Sequence, residues 1–257
     1  MAEADSPQQK TGPSLPLFYQ EPQLLTVQQH GDWRLKDGDF KFASNAIAVP
    51  IVVGEFAAAL RNYPVLFATS GEDISPIVLL GMEEVNLWVN DGRWEESAYI
   101  PAYVRRYPFV FVTHGGQLAL AIDPASGRFG RGGSEGAALF EDGKPSGVAQ
   151  EVLRFCDAFR VDSDATTTFC RALKSKDLLI DQNANATLAS GRKVGVGGFQ
   201  ILDEKKLTGL DAATVIEWHN KGYLALAYLH LASLARFEQL FARRNAREAQ
   251  AAQRTGS

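Results

Sequence analysis

An almost uniformly apolar segment near the C-terminus most strongly limits how this chain can fold. Between Leu224 and Phe241, apolar residues fall on nearly every side of a predicted helix. A surface helix has one apolar stripe and a polar face, so a helix like this one has to be buried on several sides. We expect it to be the central helix of the fold. A homodimer that pairs the C-terminal helices of two copies is the alternative.

The pattern in the rest of the chain predicts an α+β fold. Residues 47–123 show one short amphipathic helix and then apolar runs of strand length, among them YIPAYV at 99–104. Seven of the 23 glycines follow within residues 126–147. In the C-terminal half we expect helices over 146–159, 164–174 and 211–248, the last bent near Gly222, and strands near 178–181 and 199–203.

These elements indicate one domain with two lobes and two tails. Each lobe combines helix with antiparallel strands, and the long C-terminal helix closes the fold. We expect a disordered N-terminal tail at 1–14, a single domain at 15–242 with lobes at about 15–125 and 146–242, a glycine-rich loop at 126–147 between them, and a basic C-terminal tail at 243–257.

Two segments of the chain resemble each other. FAAALRNYPVLF at 56–67 and FCRALKSKDLLI at 169–180 place Phe, Ala and Leu at matching positions, 113 residues apart. A duplicated lobe explains this, and so does a chance likeness between two amphipathic helix–strand units. If the lobes are duplicated, a ligand is expected between them.

Composition and targeting signals narrow the class of protein. The net charge is −4 and the isoelectric point about 5.6, which disfavours a nucleic-acid binder. No run approaches the roughly 18–20 apolar residues of a membrane span, so no membrane insertion is expected. Cys156 and Cys170 match no zinc-binding spacing and indicate reduced, buried thiols. The opening MAEADSPQQK lacks the basic start and apolar run of a signal peptide, so we expect a cytoplasmic protein.

The familiar catalytic and cofactor motifs are missing from the sequence. It contains no GxSxG, no Walker A motif and no HExxH. His30-Gly31-Asp32 spells the start of a facial iron site, but a surface turn is the simpler interpretation. Val194–Gly198 is glycine-rich without GxGxxG spacing, which indicates a turn or a close backbone crossing. We therefore expect no metal and no cofactor, and we favour a protein that is not an enzyme.

The best candidate binding surface lies in and after an acidic segment. Residues 72–96 hold seven acidic residues and one basic residue, and aromatic and arginine side chains follow. Aromatic rings beside both charge signs are typical of recognition surfaces. Ordinary alternation of core and solvent-facing residues is the other interpretation. The candidate residues are Trp88, Trp94, Tyr99, Tyr103, Arg105 and Arg106, with a protein or a small peptide or amino-acid-like ligand as the expected partner.

Further candidates lie in the second half of the chain. Arg128 and Arg131, among glycines, could hold a phosphate or polyanion. His219, Tyr223 and His230 follow helical spacing, but the two histidines lie about 16 Å apart along a helix and cannot share a metal ion. From Arg236 onward, five arginines and two glutamates form a basic patch. This patch could dock an acidic partner or simply suit a helix C-terminus.

Several longer strings resemble a known family. They are RYPFVFV at 106–112, LALAIDPASGR at 118–128, ALFEDGKPS at 138–146, GGFQILDEKKLTGL at 197–210 and LAYLHLASLARFEQL at 226–240. In order and spacing they resemble the SapC family of bacterial proteins, over about 15–241. The resemblance implies an accessory role beside a bacterial surface or a TonB-dependent uptake system, and it carries no catalytic motif.

The expected function is therefore that of a non-enzymatic binding or adaptor protein associated with such a system. One alternative is an enzyme acting on an amino acid or peptide-like substrate, with His219 or His230 as the acid or base. The other is a structural component associated with a surface layer.

Overall fold

A computed structural model describes residues 15–255, so the tail predicted at 1–14 lies outside the described residues. The strands are β1 (Gln23–Leu24), β2 (Trp33–Leu35), β3 (Ala48–Pro50), β4 (Val65–Ser70), β5 (Asp73–Leu79), β6 (Gly81–Met82), β7 (Val85–Asn86), β8 (Val89–Asn90), β9 (Arg93–Trp94), β10 (Phe109–His114), β11 (Gln117–Ile122), β12 (Phe129–Arg131), β13 (Ala137–Ala138), β14 (Phe140–Glu141), β15 (Lys144–Pro145), β16 (Leu179–Thr187) and β17 (Lys193–Leu202).

The helices pack against these strands and confirm the α+β class. They are α1 (Val27–His30), α2 (Phe56–Ala59), α3 (Ala102–Arg105), α4 (Gly147–Ser175), α5 (Glu204–Thr208), α6 (Ala212–Asn220), α7 (Tyr223–Ser233) and α8 (Arg236–Thr255). Among residues 15–255, none of these helices combines the length and the apolar character needed to cross a lipid bilayer.

The largest sheet joins strands from both predicted lobes. Its order is β16-β17-β4-β5-β3, and all neighbouring strands are antiparallel. Strands β17 and β4 meet through the pair Gln200 and Phe67. A second sheet, β1-β11-β10, and a third, β12-β2-β13, lie outside it. Because one sheet crosses the predicted boundary, the lobes share a common core.

The two similar segments contact each other at matching positions. The rings of Phe56 and Phe169 lie 6.2 Å apart, edge to face. The amide of Val53 donates to Thr166 Oγ1 at 2.9 Å. Both pairs are separated by 113 residues, the offset of the two segments. Duplicated units lying side by side would produce these contacts, and the duplication itself stays a prediction.

Three of the expected elements differ from the structure. The two helices predicted at 146–159 and 164–174 are one continuous helix, α4, because the residues between them include no glycine or proline. Residues 102–105, predicted as strand, form α3, which begins after Pro101. The predicted loop at 126–147 contains β12 to β15, and β12 and β13 both pair with β2.

The C-terminal helical segment is broken twice. Gly222, at φ 74°, lies in the left-handed region that favours glycine and separates α6 from α7, as predicted. A short turn then separates α7 from α8. Helix α7 packs on the central sheet, where Ser233 Oγ accepts a hydrogen bond from the Val65 amide at 2.9 Å. Ala227, His230 and Ser233 are buried, whereas Ala225, Tyr228 and Ala232 are exposed. The helix therefore packs on the sheet with one side open to solvent and is not buried on several sides as expected, and the homodimer stays a prediction.

Helix α8 is attached to the acidic segment by its arginines. The guanidinium of Arg243 donates two hydrogen bonds to Glu95, each 2.7 Å long, and its Cζ lies 3.6 Å from the centre of the Trp88 ring. Arg244 forms a second ion pair, with Glu83 at 2.7 Å. Two carboxylates of the acidic segment and two arginines of the basic C-terminal patch are therefore paired within the chain.

We expect Arg243→Gln to lower the free energy of unfolding by about 1–2 kcal/mol, because it removes a paired guanidinium and its contact with Trp88. The hydrogen bonds from Arg243 lower the pKa of Glu95 below its usual 4.5. This contribution is present above pH 4.5 and is lost as the pH falls through the lowered pKa.

Urea unfolding between pH 3 and pH 7 measures both effects. Arg171→Gln, at an exposed position on α4, is the matched control. Equal losses for the two variants at pH 7 would contradict the attachment.

Candidate functional site

A cleft of about 310 Å³ lies beside α3 and the N-terminal half of α4. Three arginines and one glutamate line it together with apolar and aromatic side chains, and we call it the arginine cleft. Its lining residues are Arg105, Arg106, Arg128 and Glu151, with Leu35, Tyr107, Phe109, Val152 and Phe155.

The position of α3 depends on a buried carboxylate, Glu55. Its Oε1 accepts hydrogen bonds from the Ala102 amide at 2.7 Å and from the Tyr99 hydroxyl at 2.8 Å. Its Oε2 accepts from the Val52 amide at 2.9 Å. A buried carboxylate is tolerated because donors satisfy its oxygens. Glu55 therefore fixes the first turn of the helix that carries Arg105.

Arg105 lies at the mouth of the arginine cleft. Its Nε donates to the carbonyl of Ile100 at 3.0 Å, and its Nη2 lies 3.3 Å from the Tyr99 hydroxyl. The guanidinium carbon lies 5.1 Å from the centre of the Phe155 ring on α4. These contacts orient the side chain and leave it exposed to solvent.

Arg106 is held between aromatic rings. Its guanidinium carbon lies 4.3 Å from the centre of the Tyr103 ring and 4.5 Å from that of Phe159. The side chain is half-buried, and its Nε is shielded from solvent without a hydrogen-bond partner. Cation–π contacts stabilise such a guanidinium but leave N–H donors unsatisfied.

Arg128 reaches the cleft from the turn before β12. Its Nη1 donates to the Tyr107 carbonyl at 3.0 Å, and its Nη2 lies 3.5 Å from the Lys36 carbonyl. Its Nε is buried without a partner, and burial lowers the pKa of this guanidinium from its usual value. Both contacts are to neutral backbone carbonyls.

The three arginines of the cleft share one property. Among the residues that the structure describes, none of the three forms an ion pair, whereas Arg192, Arg243 and Arg244 all do. Glu151 is the one carboxylate lining the cleft, against three guanidinium groups. Guanidinium groups bind carboxylates and phosphates through paired N–H donors. The cleft can therefore bind an anion beside the apolar wall formed by Phe109, Val152 and Phe155.

The six residues of the predicted surface are divided by the structure. Arg105 and Arg106 line the cleft. Tyr99 contacts Arg105, and the Tyr103 ring lies against Arg106. Burial raises the pKa of the Tyr103 hydroxyl. Trp88 and Trp94 are only 2% and 6% exposed and belong to the core, so they do not contribute to an accessible surface.

The tryptophans are buried because the short β8–β9 hairpin folds back onto the core. Trp88 packs edge to face on Tyr63, with ring centres 4.9 Å apart. The Nε1 of Trp94 donates to the Tyr63 hydroxyl at 3.2 Å. The guanidinium of Arg243 also lies over the Trp88 ring, 3.6 Å from its centre.

The secondary candidates are scattered. Arg128 lines the arginine cleft, whereas Arg131 is exposed and lies over the Trp33 ring, 5.1 Å from its centre. His219 is exposed on α6, and Tyr223 packs between Trp218 and Phe169. The break at Gly222 places His219 and His230 on different helices, so the single helical face predicted for them does not form.

The other sequence candidates have structural explanations. His30 is buried against Trp33, with ring centres 4.6 Å apart. Within residues 15–255, no group of three His, Cys, Asp or Glu side chains could hold a metal ion. The glycine-rich stretch lies within β17, where a Cβ at Gly195 or Gly197 would lie 2.2 Å from an amide oxygen of Asn185 or Asn183. Glycine makes room there for β16.

One wall of the arginine cleft is formed by α4 and was not predicted from the sequence. Glu151, Val152 and Phe155 belong to a helical stripe, and the apolar members of that stripe look like core residues. The sequence signal was the exposed Glu151 at the edge of an otherwise apolar face.

We expect Glu55→Gln to lower the free energy of unfolding by about 1–3 kcal/mol, because the amide nitrogen of glutamine would face an N–H or O–H donor. Tyr99→Phe, which removes one donor and keeps the ring, is the matched variant and should cost less, about 0.5–1.5 kcal/mol. Denaturant unfolding compares them. A larger loss for Tyr99→Phe would contradict the central role of Glu55.

We expect His230 to make stability depend on pH. Its Nε2 accepts a hydrogen bond from the Leu202 amide at 3.1 Å, and burial lowers the pKa of the imidazole to about 4. The His230 imidazole binds a proton near pH 6.5 in the unfolded chain and near pH 4 in the folded chain. The native state should therefore lose roughly 3 kcal/mol as the pH falls through this window.

An NMR titration of the His230 ring tests this directly. Its resonances should stay unchanged down to about pH 5. A midpoint for His230 near 6.5 would refute the expectation.

Comparison with known proteins identifies the family. The family model described as SapC matches residues 25–240. No curated protein and no solved structure matched the chain. The match covers the main sheet, the arginine cleft, α7 and the first turn of α8. The chain therefore belongs to the SapC family.

Proposed function

We propose that this SapC-family protein is a non-enzymatic binding protein whose arginine cleft binds a small organic anion. The ligand would carry a carboxylate or a phosphate, together with an apolar body. The observation that supports the proposal is the cluster of three guanidinium groups without ion-pair partners beside an apolar wall.

The chemistry of the cleft favours an anion for two reasons. Within residues 15–255, none of the three guanidinium groups has an ion-pair partner, and like charges this close repel one another. An anion in the cleft would offset that repulsion and would accept charge-assisted hydrogen bonds. Phe155 and Val152 would bury the apolar part of the same ligand.

The wider role rests on the family resemblance. We propose that the protein acts as an adaptor beside a bacterial surface or TonB-dependent uptake system, in the cytoplasm. Reduced cysteines fit that location: Cys156 and Cys170 are buried and free, and fourteen residues of α4 separate them by about 21 Å. Neither His219 nor His230 lines the arginine cleft, so the cleft does not support the alternative enzyme that uses them. The cleft does not favour the surface-layer component either.

Calorimetric titration with phenylacetate, phenyl phosphate and the neutral phenylacetamide tests the proposal. We expect the two anions to bind and the amide to bind at least about tenfold more weakly, since each charge-assisted hydrogen bond contributes roughly 1.5–3 kcal/mol. Arg106→Gln and Arg128→Gln should each weaken anion binding by a similar factor.

Arg171→Gln, on the exposed side of α4, is the control and should bind like the unchanged protein. Equal binding of phenylacetate and phenylacetamide, or unchanged anion binding in both cleft variants, would overturn the proposal.

A further inference from the structure

A second cleft, of about 200 Å³, adjoins the arginine cleft. Arg106 lines both. The other walls of the second cleft combine apolar side chains, Phe111, Leu118 and Phe159, with Cys156, Ser163 and the charged pair Arg160 and Asp164. Leu118 is 54% exposed, which is unusual for a large apolar side chain.

The two clefts lie along one face of α4. Val152 and Phe155 line the first cleft, and Phe159 and Ser163 line the second. Steps of three or four residues keep side chains on the same face of a helix. From Val152 to Ser163 this face extends by about 17 Å.

The opposite wall is also continuous. Phe109 lines the first cleft and Phe111 the second, both on β10. Residues two apart on a strand point to the same side of the sheet. The clefts therefore form one groove between α4 and β10, with Arg106 at its middle. We call it the α4 groove.

Charge differs between the two ends of the α4 groove. The first end has three guanidinium groups that form no ion pair with any residue from 15 to 255. At the second end, Arg160 is paired with Asp157 at 3.0 Å and with Asp164 at 3.2 Å. The exposed Leu118 lies at that end. The groove thus has unpaired cations at one end, and an internally neutralised charge cluster beside an exposed leucine at the other.

We propose that the α4 groove binds an extended peptide of about five residues, with a carboxylate in the arginine cleft and an apolar side chain against Leu118. This inference rests on the proposed function of the arginine cleft and extends it. An extended chain rises about 3.3 Å per residue, so five residues span about 17 Å. We assign the carboxylate to the C-terminus of the peptide, and binding through an acidic side chain is the outcome that would overturn this assignment.

Fluorescence polarisation with labelled peptides tests the proposal. The first probe is a pool of sequence Gly-Leu-Xaa-Xaa-Xaa-Phe with a free C-terminal carboxylate, and the second is the same pool as the C-terminal amide. A third pool ends in Asp-amide in place of Phe and offers a side-chain carboxylate. Acetyl-phenylalanine, added as a competitor, measures the arginine cleft alone.

We expect the first pool to bind about tenfold or more tightly than acetyl-phenylalanine, because a leucine side chain is buried as well. Leu118→Ser should remove that advantage and leave acetyl-phenylalanine binding unchanged. Arg106→Gln should weaken the binding of both the peptide pool and acetyl-phenylalanine. Val161→Ser is the matched control, because Val161 is 52% exposed on α4 but lines neither cleft.

The outcomes separate the peptide proposal from the anion proposal. Weak binding of the amide pool beside tight binding of the acid pool identifies the C-terminus, and tight binding of the Asp-amide pool identifies a side chain. Equal affinity for the acid pool and acetyl-phenylalanine, with no effect of Leu118→Ser, would overturn the peptide groove and leave the anion site standing. If neither ligand binds, both proposals fall.

Discussion

The buried carboxylate of Glu55 connects the core of this protein to the arginine cleft. It accepts hydrogen bonds from the Ala102 amide in the first turn of α3, from the Tyr99 hydroxyl and from the Val52 amide. Tyr99 in turn contacts Arg105, so the arginine at the mouth of the cleft depends on an acid that it does not touch. A single buried carboxyl group thus positions Arg105 and holds the α3 segment against the residues before α2.

Arginines serve two different purposes in this fold. On α8, Arg243 pairs with Glu95 and Arg244 pairs with Glu83. The guanidinium of Arg243 also lies over the Trp88 ring. Those of the arginine cleft contact rings and backbone carbonyls and lack carboxylate partners within the described residues. The first group stabilises the folded chain, because its charge is neutralised internally. The second keeps its charge available to a ligand.

Local pattern predicted the α+β class and the break at Gly222, and the resemblance of longer strings indicated the SapC family. Pattern also singled out Arg105 and Arg106, which line the arginine cleft. Pattern could not separate them from Trp88 and Trp94, because period-two alternation does not show which face of a short hairpin meets the core. The contact between Arg243 and Glu95 spans 148 residues, and no local signal predicts it. The α4 wall was missed for a related reason, since a groove stripe and a core stripe have the same helical period.

Helix α4 is one continuous helix of 29 residues that contributes to two regions of the protein. Its N-terminal turns line the groove, and Phe169 and Leu173 near its other end are fully buried in the core. Phe155 and Phe169 are separated along it by about 21 Å. The helix is also anchored beside the groove, where Ala149 and Cys156 are buried. The wall that α4 contributes to the groove therefore cannot shift without disturbing the packing of buried side chains.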